Sequence, residues 1–158
     1  MRKTRLYIET SVWNFLFAED APDKMAATKQ FFTEVSAGKY EIYISDAVTA
    51  EIAVAPEERR SSLFSAIEKH SPVMLEMDDN VKYLAGLYIQ SEVLSAKHYT
   101  DLLHMAFASA NGLFALISWN LSHLVKMKTY TRGNAVNLAN GFPEIQIFTP
   151  QAVIEDED

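Results

Sequence analysis

Leu6-Tyr7-Ile8-Glu9-Thr10-Ser11 is an apolar run that ends on a carboxylate and a polar turn. The run has the length of a short buried strand, which we place at residues 4–8. In open α/β sheets the ligand site lies beyond the carboxyl ends of the strands. Glu9 therefore lies at the position where an open α/β sheet has its ligand site.

Two more carboxylates have a similar setting. Glu51 falls six residues after the run Ile42-Tyr43-Ile44-Ser45, and Asp101 precedes the apolar helix predicted at residues 102–110. Three carboxylates brought together repel one another unless a cation joins them. Carboxylate oxygens are the ligands that Mg²⁺ and Mn²⁺ prefer. The pattern predicts a divalent-metal site, although each acid alone is also typical of a solvated strand end or helix start.

The remaining strands alternate with helical patterns along the chain. This alternation predicts an α/β fold with a parallel sheet of four to five strands, covered by helices on both faces. We expect Thr100 to cap the helix that carries Asp101, and a short helix between Leu121 and Lys126. The predicted strands are 4–8, 41–45, 73–77, 114–118 and 144–148.

Length and composition indicate one globular domain. The chain has 158 residues, of which 49% are apolar, and it contains no repeat or Gly/Ser-rich linker. We assign residues 1–154 to a single domain and the acidic residues 155–158 to a frayed tail. No apolar run approaches the ~20 residues of a membrane span.

The absence of cysteine excludes a disulfide framework, a thiol nucleophile and a Cys-ligated zinc site. The basic start is followed only by a short apolar run, so we expect no signal peptide. A cytoplasmic protein that does not enter the membrane is the expectation.

The charge is unevenly distributed. The net charge is −7, yet no Asp or Glu occurs from Leu102 to Pro143, a stretch that contains Lys126, Lys128 and Arg132. Either the gap in acids arose by chance, or the protein is acidic overall and locally basic.

His70, His98 and His123 show no metal-ligand spacing, and no HExxH motif is present. His104 lies one helical turn from Asp101, so it can hydrogen-bond that carboxylate or point toward the site. A structural role for His104 is the simpler interpretation.

Five segments resemble the motifs of PIN-domain ribonucleases, in the same order and over nearly the whole chain. An acid followed by Thr-Ser opens that family's first motif, and an Asp that begins a helix of small residues marks its third. The segments are Leu6–Val12, Ser45–Ile52, Tyr99–Ala108, Leu116–Asn120 and Gly141–Pro150.

The resemblance implies a three-layer PIN-like fold and a Mg²⁺- or Mn²⁺-dependent endoribonuclease that cleaves RNA. It implies Glu9, Glu51, Asp101 and Asn120 as metal ligands, with Ser11 in support. Many small members of the family are toxins of toxin–antitoxin pairs and form homodimers, so an antitoxin and a second copy of the chain are expected partners. Lys126, Lys128 and Arg132 would then hold RNA phosphates.

Two positions depart from the family pattern. Glu9 stands where Asp is commoner, and Asn120 stands where a fourth acid is often found. These departures leave a second reading open, a degenerate PIN domain that binds RNA or a protein partner without cleavage. A phosphoacceptor module is disfavoured, because that chemistry uses a nucleophilic Asp at the first strand end.

Overall fold

The structure is a computed structural model, and it describes residues 2–155. Of the tail predicted at residues 155–158, only Glu155 is described, and its carboxylate lies 2.6 Å from Lys39 Nζ. The strands are β1 Thr4–Ile8, β2 Tyr40–Ser45, β3 Val73–Leu75, β4 Ala115–Ile117 and β5 Gln146–Phe148. The helices are α1 Thr10–Phe15, α2 Pro22–Ser36, α3 Asp46–Ala53, α4 Glu57–His70, α5 Asp79–Gln90, α6 Tyr99–Ala110, α7 Met127–Ala139 and α8 Pro150–Val153, with a 3₁₀ turn at Ala96–His98.

All five strands are parallel and form one sheet in the order β3-β2-β1-β4-β5. The chain builds outward from β1 to β3, returns to the other side of β1 as β4, and ends at the β5 edge. The order therefore reverses between β1 and β4. A crevice beyond the carboxyl ends of the strands at such a point is the usual ligand site of an open α/β sheet.

Helices cover both faces of the sheet. Tyr7 of β1 stacks on Phe107 of α6, with ring centroids 6.3 Å apart. Tyr40 of β2 stacks on Phe31 of α2 at 5.9 Å, and Tyr40 pairs with Thr4 of β1. Because Thr4 and Tyr7 are an odd number of residues apart, their side chains point to opposite faces. The result is three layers, which confirms the predicted α/β architecture.

The core lies on both sides of the central strand. Leu6, Tyr7 and Ile8 are almost fully buried, as is the short strand β4. A strand buried on both faces is a continuous apolar run, which is the pattern that predicted β1. Within residues 2–155, no helix has the length and apolar character required to cross a membrane.

Local capping explains most helix boundaries. Ser45 accepts a hydrogen bond from the Ala47 amide and begins α3, and Asp78 does the same for α5 through the Val81 amide. After α2, Gly38 adopts φ +87°, a conformation that favours glycine.

Two predicted helix features are wrong. Thr100 does not cap α6, because the 3₁₀ turn at Ala96–His98 runs directly into the helix and places Thr100 in its first turn. Residues 121–126 form turns instead of a helix: the amides of Leu124 and Val125 both bond the Asn120 carbonyl, which wraps this loop around Asn120.

Candidate active site

Glu9 is a buried carboxylate at the carboxyl end of β1, where it also caps α1. Its Oε2 atom accepts hydrogen bonds from the Ser11 amide at 3.1 Å, from Ser118 Oγ at 2.8 Å and from Ser11 Oγ. The residue is only 5% exposed. A carboxylate removed from water requires such donors, so the two serines hold Glu9 in one orientation.

Ser118 connects Glu9 to the neighbouring strand. It follows β4, which pairs with β1, so the hydrogen bond to Glu9 crosses the place where the strand order reverses. Ser118 Oγ also accepts from the Asn120 amide at 2.9 Å. Ser118 was not among the predicted site residues, although its position at the end of an apolar run is the signal that identified Glu9.

Glu51 projects from α3 toward the same edge of the sheet. Its Oε1 atom accepts from Thr10 Oγ1 at 2.7 Å and pairs with His104 Nε2 at 2.6 Å. The side chain is 39% exposed. Glu51 therefore combines a fixed inner oxygen with access to the solvent side of the site.

His104 lies behind Glu51 and is fully buried. Its Nδ1 atom shares a hydrogen bond of 2.6 Å with the Tyr7 hydroxyl, which in turn lies 2.7 Å from Ser45 Oγ. Since a carboxylate can only accept, Nε2 donates to Glu51. His104 thus bonds Glu51 and not Asp101, and the polar chain connects the site to two strands of the sheet.

The charges of this cluster depend on one another. Burial lowers the pKa of His104, but the hydrogen bond to Glu51 and the charges of Glu9, Glu51 and Asp101 outweigh it and raise that pKa above its usual value. Burial raises the pKa of Glu51, but the hydrogen bond from His104, the charge of His104 and the Thr10 hydroxyl outweigh it and lower that pKa. Both shifts favour a charged pair.

The carboxylates of Glu9 and Glu51 are arranged as cation ligands. One oxygen of each and one nitrogen of His104 all lie within 4.8 Å of one another. His104 Nε2 is already bonded to Glu51, so the ring serves to orient that carboxylate. Among the described residues, Glu9 Oε1 and Glu51 Oε2 accept no hydrogen bond. These two oxygens fit a hard cation such as Mg²⁺ or Mn²⁺.

Asp101 lies in the first turn of α6, outside this group of described ligand atoms. Its Oδ2 atom is 3.8 Å from His98 Nδ1, and its Oδ1 atom is 3.5 Å from Asn120 Nδ2. The rings of His98 and His123 pack with centroids 3.8 Å apart. Burial raises the pKa of Asp101, and Glu51 adds to the effect, while the three nearby histidines oppose it. The histidine pair next to Asp101 has no signal in the sequence, because 24 residues lie between His98 and His123 along the chain.

Asn120 is held by its own loop. Its Oδ1 atom accepts from the His123 amide at 3.0 Å, and its Nδ2 atom faces Asp101. An amide oxygen has two acceptor positions, so one remains for a cation or for water.

The cations predicted to hold RNA lie at the start of α7, and two of them line different surface grooves. Lys126, Lys128 and Arg132 are all exposed around the start of α7. Lys126 lines a surface groove beside β5, whereas Arg132 lines a different groove and donates to the Glu92 carbonyl at 3.3 Å.

Comparison with known proteins supports the fold. No protein-family model and no curated protein sequence matches the chain. Among solved structures, the chain is similar to one from the crystal structure of VapBC2 from Rickettsia felis bound to a DNA fragment from their promoter. The TM-score is 0.58 at 14% identity, and the match covers 92% of this chain and 98% of that one. The architecture is therefore the PIN-like fold that the sequence motifs indicated.

Proposed function

We propose that this chain is a Mg²⁺- or Mn²⁺-dependent endoribonuclease of the PIN type. The observation that carries the proposal is the convergence of Glu9 and Glu51 at the carboxyl edge of the sheet, with ligand atoms within 4.8 Å. Two carboxylates so near each other, each with one oxygen that accepts no hydrogen bond from the described residues, fit a shared dication better than they fit a solvated surface.

Each residue has a distinct role in this proposal. Glu9 and Glu51 hold the cation, and Asp101 supplies the third carboxylate of the site from α6. Ser11 and Ser118 fix Glu9, His104 fixes Glu51, and Asn120 positions Asp101. When bound, such a cation acts as a Lewis acid that stabilises charge on a phosphodiester and makes nearby water more acidic.

The experiment is a cleavage assay on single-stranded RNA with Mn²⁺. Glu9→Gln and Asp101→Asn are each expected to abolish cleavage, a loss of at least about 10²-fold, while the thermal melt changes little. Glu144→Gln is the control, because it removes an exposed acid near the opposite end of the sheet. RNA cleavage by Glu9→Gln at the wild-type rate would contradict the proposed nuclease function.

We also infer that the chain is the toxin of a toxin–antitoxin pair, that it forms homodimers and that it acts in the cytoplasm. Its likeness to a chain of a VapBC2 structure supports the toxin–antitoxin part of this inference. Expression alone should arrest growth of a bacterial host, and the Glu9→Gln variant should not. Normal growth with the active form would argue against a toxin.

One observation favours a different function, binding without cleavage. Asp101 faces His98 and Asn120 and does not join Glu9 and Glu51 in one ligand group of the described residues. If Asp101 keeps this position when metal binds, the metal has two carboxylate ligands, Glu9 and Glu51, instead of three. Calorimetry separates the two functions, since a nuclease is expected to bind Mn²⁺ at millimolar concentration or below.

A further inference from the structure

A polar cavity adjoins Glu9 through the side chain of Ser11. It has a volume of about 390 Å³, and its lining includes Ser11, Asn14, Phe15, Asp20, Lys24 and Arg59. Ser11 belongs to both places, because its hydroxyl bonds Glu9 and its side chain lines the cavity. A ligand in this cavity would therefore lie one side chain away from the carboxylates.

Lys24 is held in place at one wall of the cavity. Its ammonium group lies 5.3 Å from the centroid of the Phe15 ring and 5.6 Å from that of Trp119. Such cation–π contacts fix the side chain without neutralising its charge. The Trp119 ring is itself anchored by a hydrogen bond of 2.8 Å from Nε1 to Thr28, and the Trp119 amide donates to Ser11 Oγ.

The cations of the cavity have no carboxylate partner in the part of the chain that the structure describes. Within residues 2–155, neither Lys24 nor Arg59 has a carboxylate oxygen within 4.0 Å. Asp20 lines the cavity as well, so the charged side chains are two cations and one acid. Asn14 adds an amide whose Nδ2 atom makes only a long contact of 3.4 Å to the Thr10 carbonyl. The cavity thus offers an amide donor and two positive charges that no carboxylate of residues 2–155 neutralises.

The position of these cations matters because the neighbouring site is acidic. A polyanion approaching Glu9, Glu51 and Asp101 is repelled unless cations hold its phosphates close by. Lys24 and Arg59 line the cavity together with Ser11, which bonds Glu9. Among the described residues neither cation has a carboxylate oxygen within 4.0 Å, so neither neutralises a ligand carboxylate. Trp119 is only 6% exposed, so its ring offers little surface on which a base could stack.

We propose that the cavity formed by Ser11, Asn14, Lys24 and Arg59 binds a backbone phosphate of the RNA strand next to the phosphodiester at Glu9. This inference rests on the proposed function and adds to it the residues that hold the substrate. Lys24 and Arg59 act as binding residues, and Asn14 contributes its amide.

The test measures binding of a fluorescent single-stranded RNA at several salt concentrations. The double variant Lys24→Met/Arg59→Gln removes both charges and keeps the hydrocarbon contact of Lys24 with Phe15. It should bind about tenfold more weakly at low salt, and the slope of log affinity against log salt should fall by about 0.7, because one phosphate contact is lost. Lys24→Arg keeps the charge and should retain most of the affinity. The control Lys29→Gln/Lys82→Gln makes the same change in net charge at exposed positions outside this cavity.

The outcomes separate this inference from the proposed function. Wild-type binding with an unchanged slope in the Lys24/Arg59 double variant overturns the cavity assignment and leaves the nuclease intact. An equal loss in the control variant also overturns it, because the effect would then come from net charge alone. Wild-type protein that neither binds nor cleaves RNA refutes the nuclease first, and the cavity assignment with it. A thermal melt equal to that of the wild type shows that each variant is folded.

Discussion

His104 Nε2 lies 2.6 Å from Glu51 Oε1, although the two residues are 53 positions apart in the sequence. The contact joins α6 to α3 across the carboxyl edge of the sheet. Behind it, His104 bonds Tyr7, a residue of the central strand. The orientation of the exposed carboxylate is therefore set by a fully buried ring.

Replacing His104 tests this arrangement. Asparagine keeps a polar group near Nδ1 but cannot reach Glu51, so His104→Asn should weaken Mn²⁺ binding and RNA cleavage by about 10- to 100-fold. Glutamine places its amide near the position of Nε2, so His104→Gln should lose less. Calorimetry for Mn²⁺ and a cleavage assay provide the two measurements. If both variants bind Mn²⁺ as tightly as the wild type, His104 does not position Glu51.

Asn120→Asp is expected to have opposite effects with and without metal. The amide of Asn120 faces Asp101 at 3.5 Å, so the substitution places two carboxylates side by side. With Mn²⁺ the added charge should tighten binding by about tenfold, or about 1.4 kcal/mol. Without metal, repulsion between the acids should lower the melting temperature. An unchanged Mn²⁺ affinity would place Asp101 and Asn120 outside the metal site.

Lys128→Glu combined with Arg132→Glu should weaken RNA binding at low salt by about tenfold or more, since two cations become anions. Both side chains are exposed, so the fold should survive. The measurement is RNA affinity at low and high salt, with the thermal melt as the control for folding. RNA affinities equal to those of the wild type would show that Lys128 and Arg132 do not contribute to RNA binding.

His70 should make the protein less stable in mild acid. Its ring packs against Phe32 and Trp13, with centroids 4.6 and 6.3 Å away, and burial, together with the charge of Lys69, lowers its pKa. Below the unfolded value of about 6.5, the unfolded chain binds the proton more readily than the folded chain. The contribution is therefore present above that pH and is lost as the pH falls toward the folded pKa.

His70→Phe keeps an aromatic ring there and removes the titration. Urea unfolding at pH 7.5 and pH 5.5 should show a smaller loss of stability in the variant than in the wild type. The prediction concerns the sign of this difference in stability, because the His70 ring is partly exposed and solvent screens its charge. Equal losses in the two proteins would show that His70 titrates alike in both states.

The predicted strands agree with the structure because burial imposes its pattern on local sequence. Strand β1 spans the predicted residues, and β2 begins one residue earlier than predicted. Predicted boundaries of helices and strands differ from the structure where contacts between distant segments compete with local conformational preference. In α4, Phe64 is 37% exposed and only Leu63 is fully buried, so the apolar character of a helical residue does not by itself show that its side chain points inward.

The sequence by itself determined the α/β class, the order of the strands along the chain and the acids that end or follow them. Those properties depend on the periodicity of neighbouring side chains, which is visible in one dimension. Only the tertiary structure decided that His104 orients Glu51, that Ser118 bonds Glu9, and that Asp101 lies beside two histidines. These contacts join segments that meet because the parallel strands are ordered around β1, and no local pattern encodes which distant side chains such an arrangement brings within hydrogen-bonding distance.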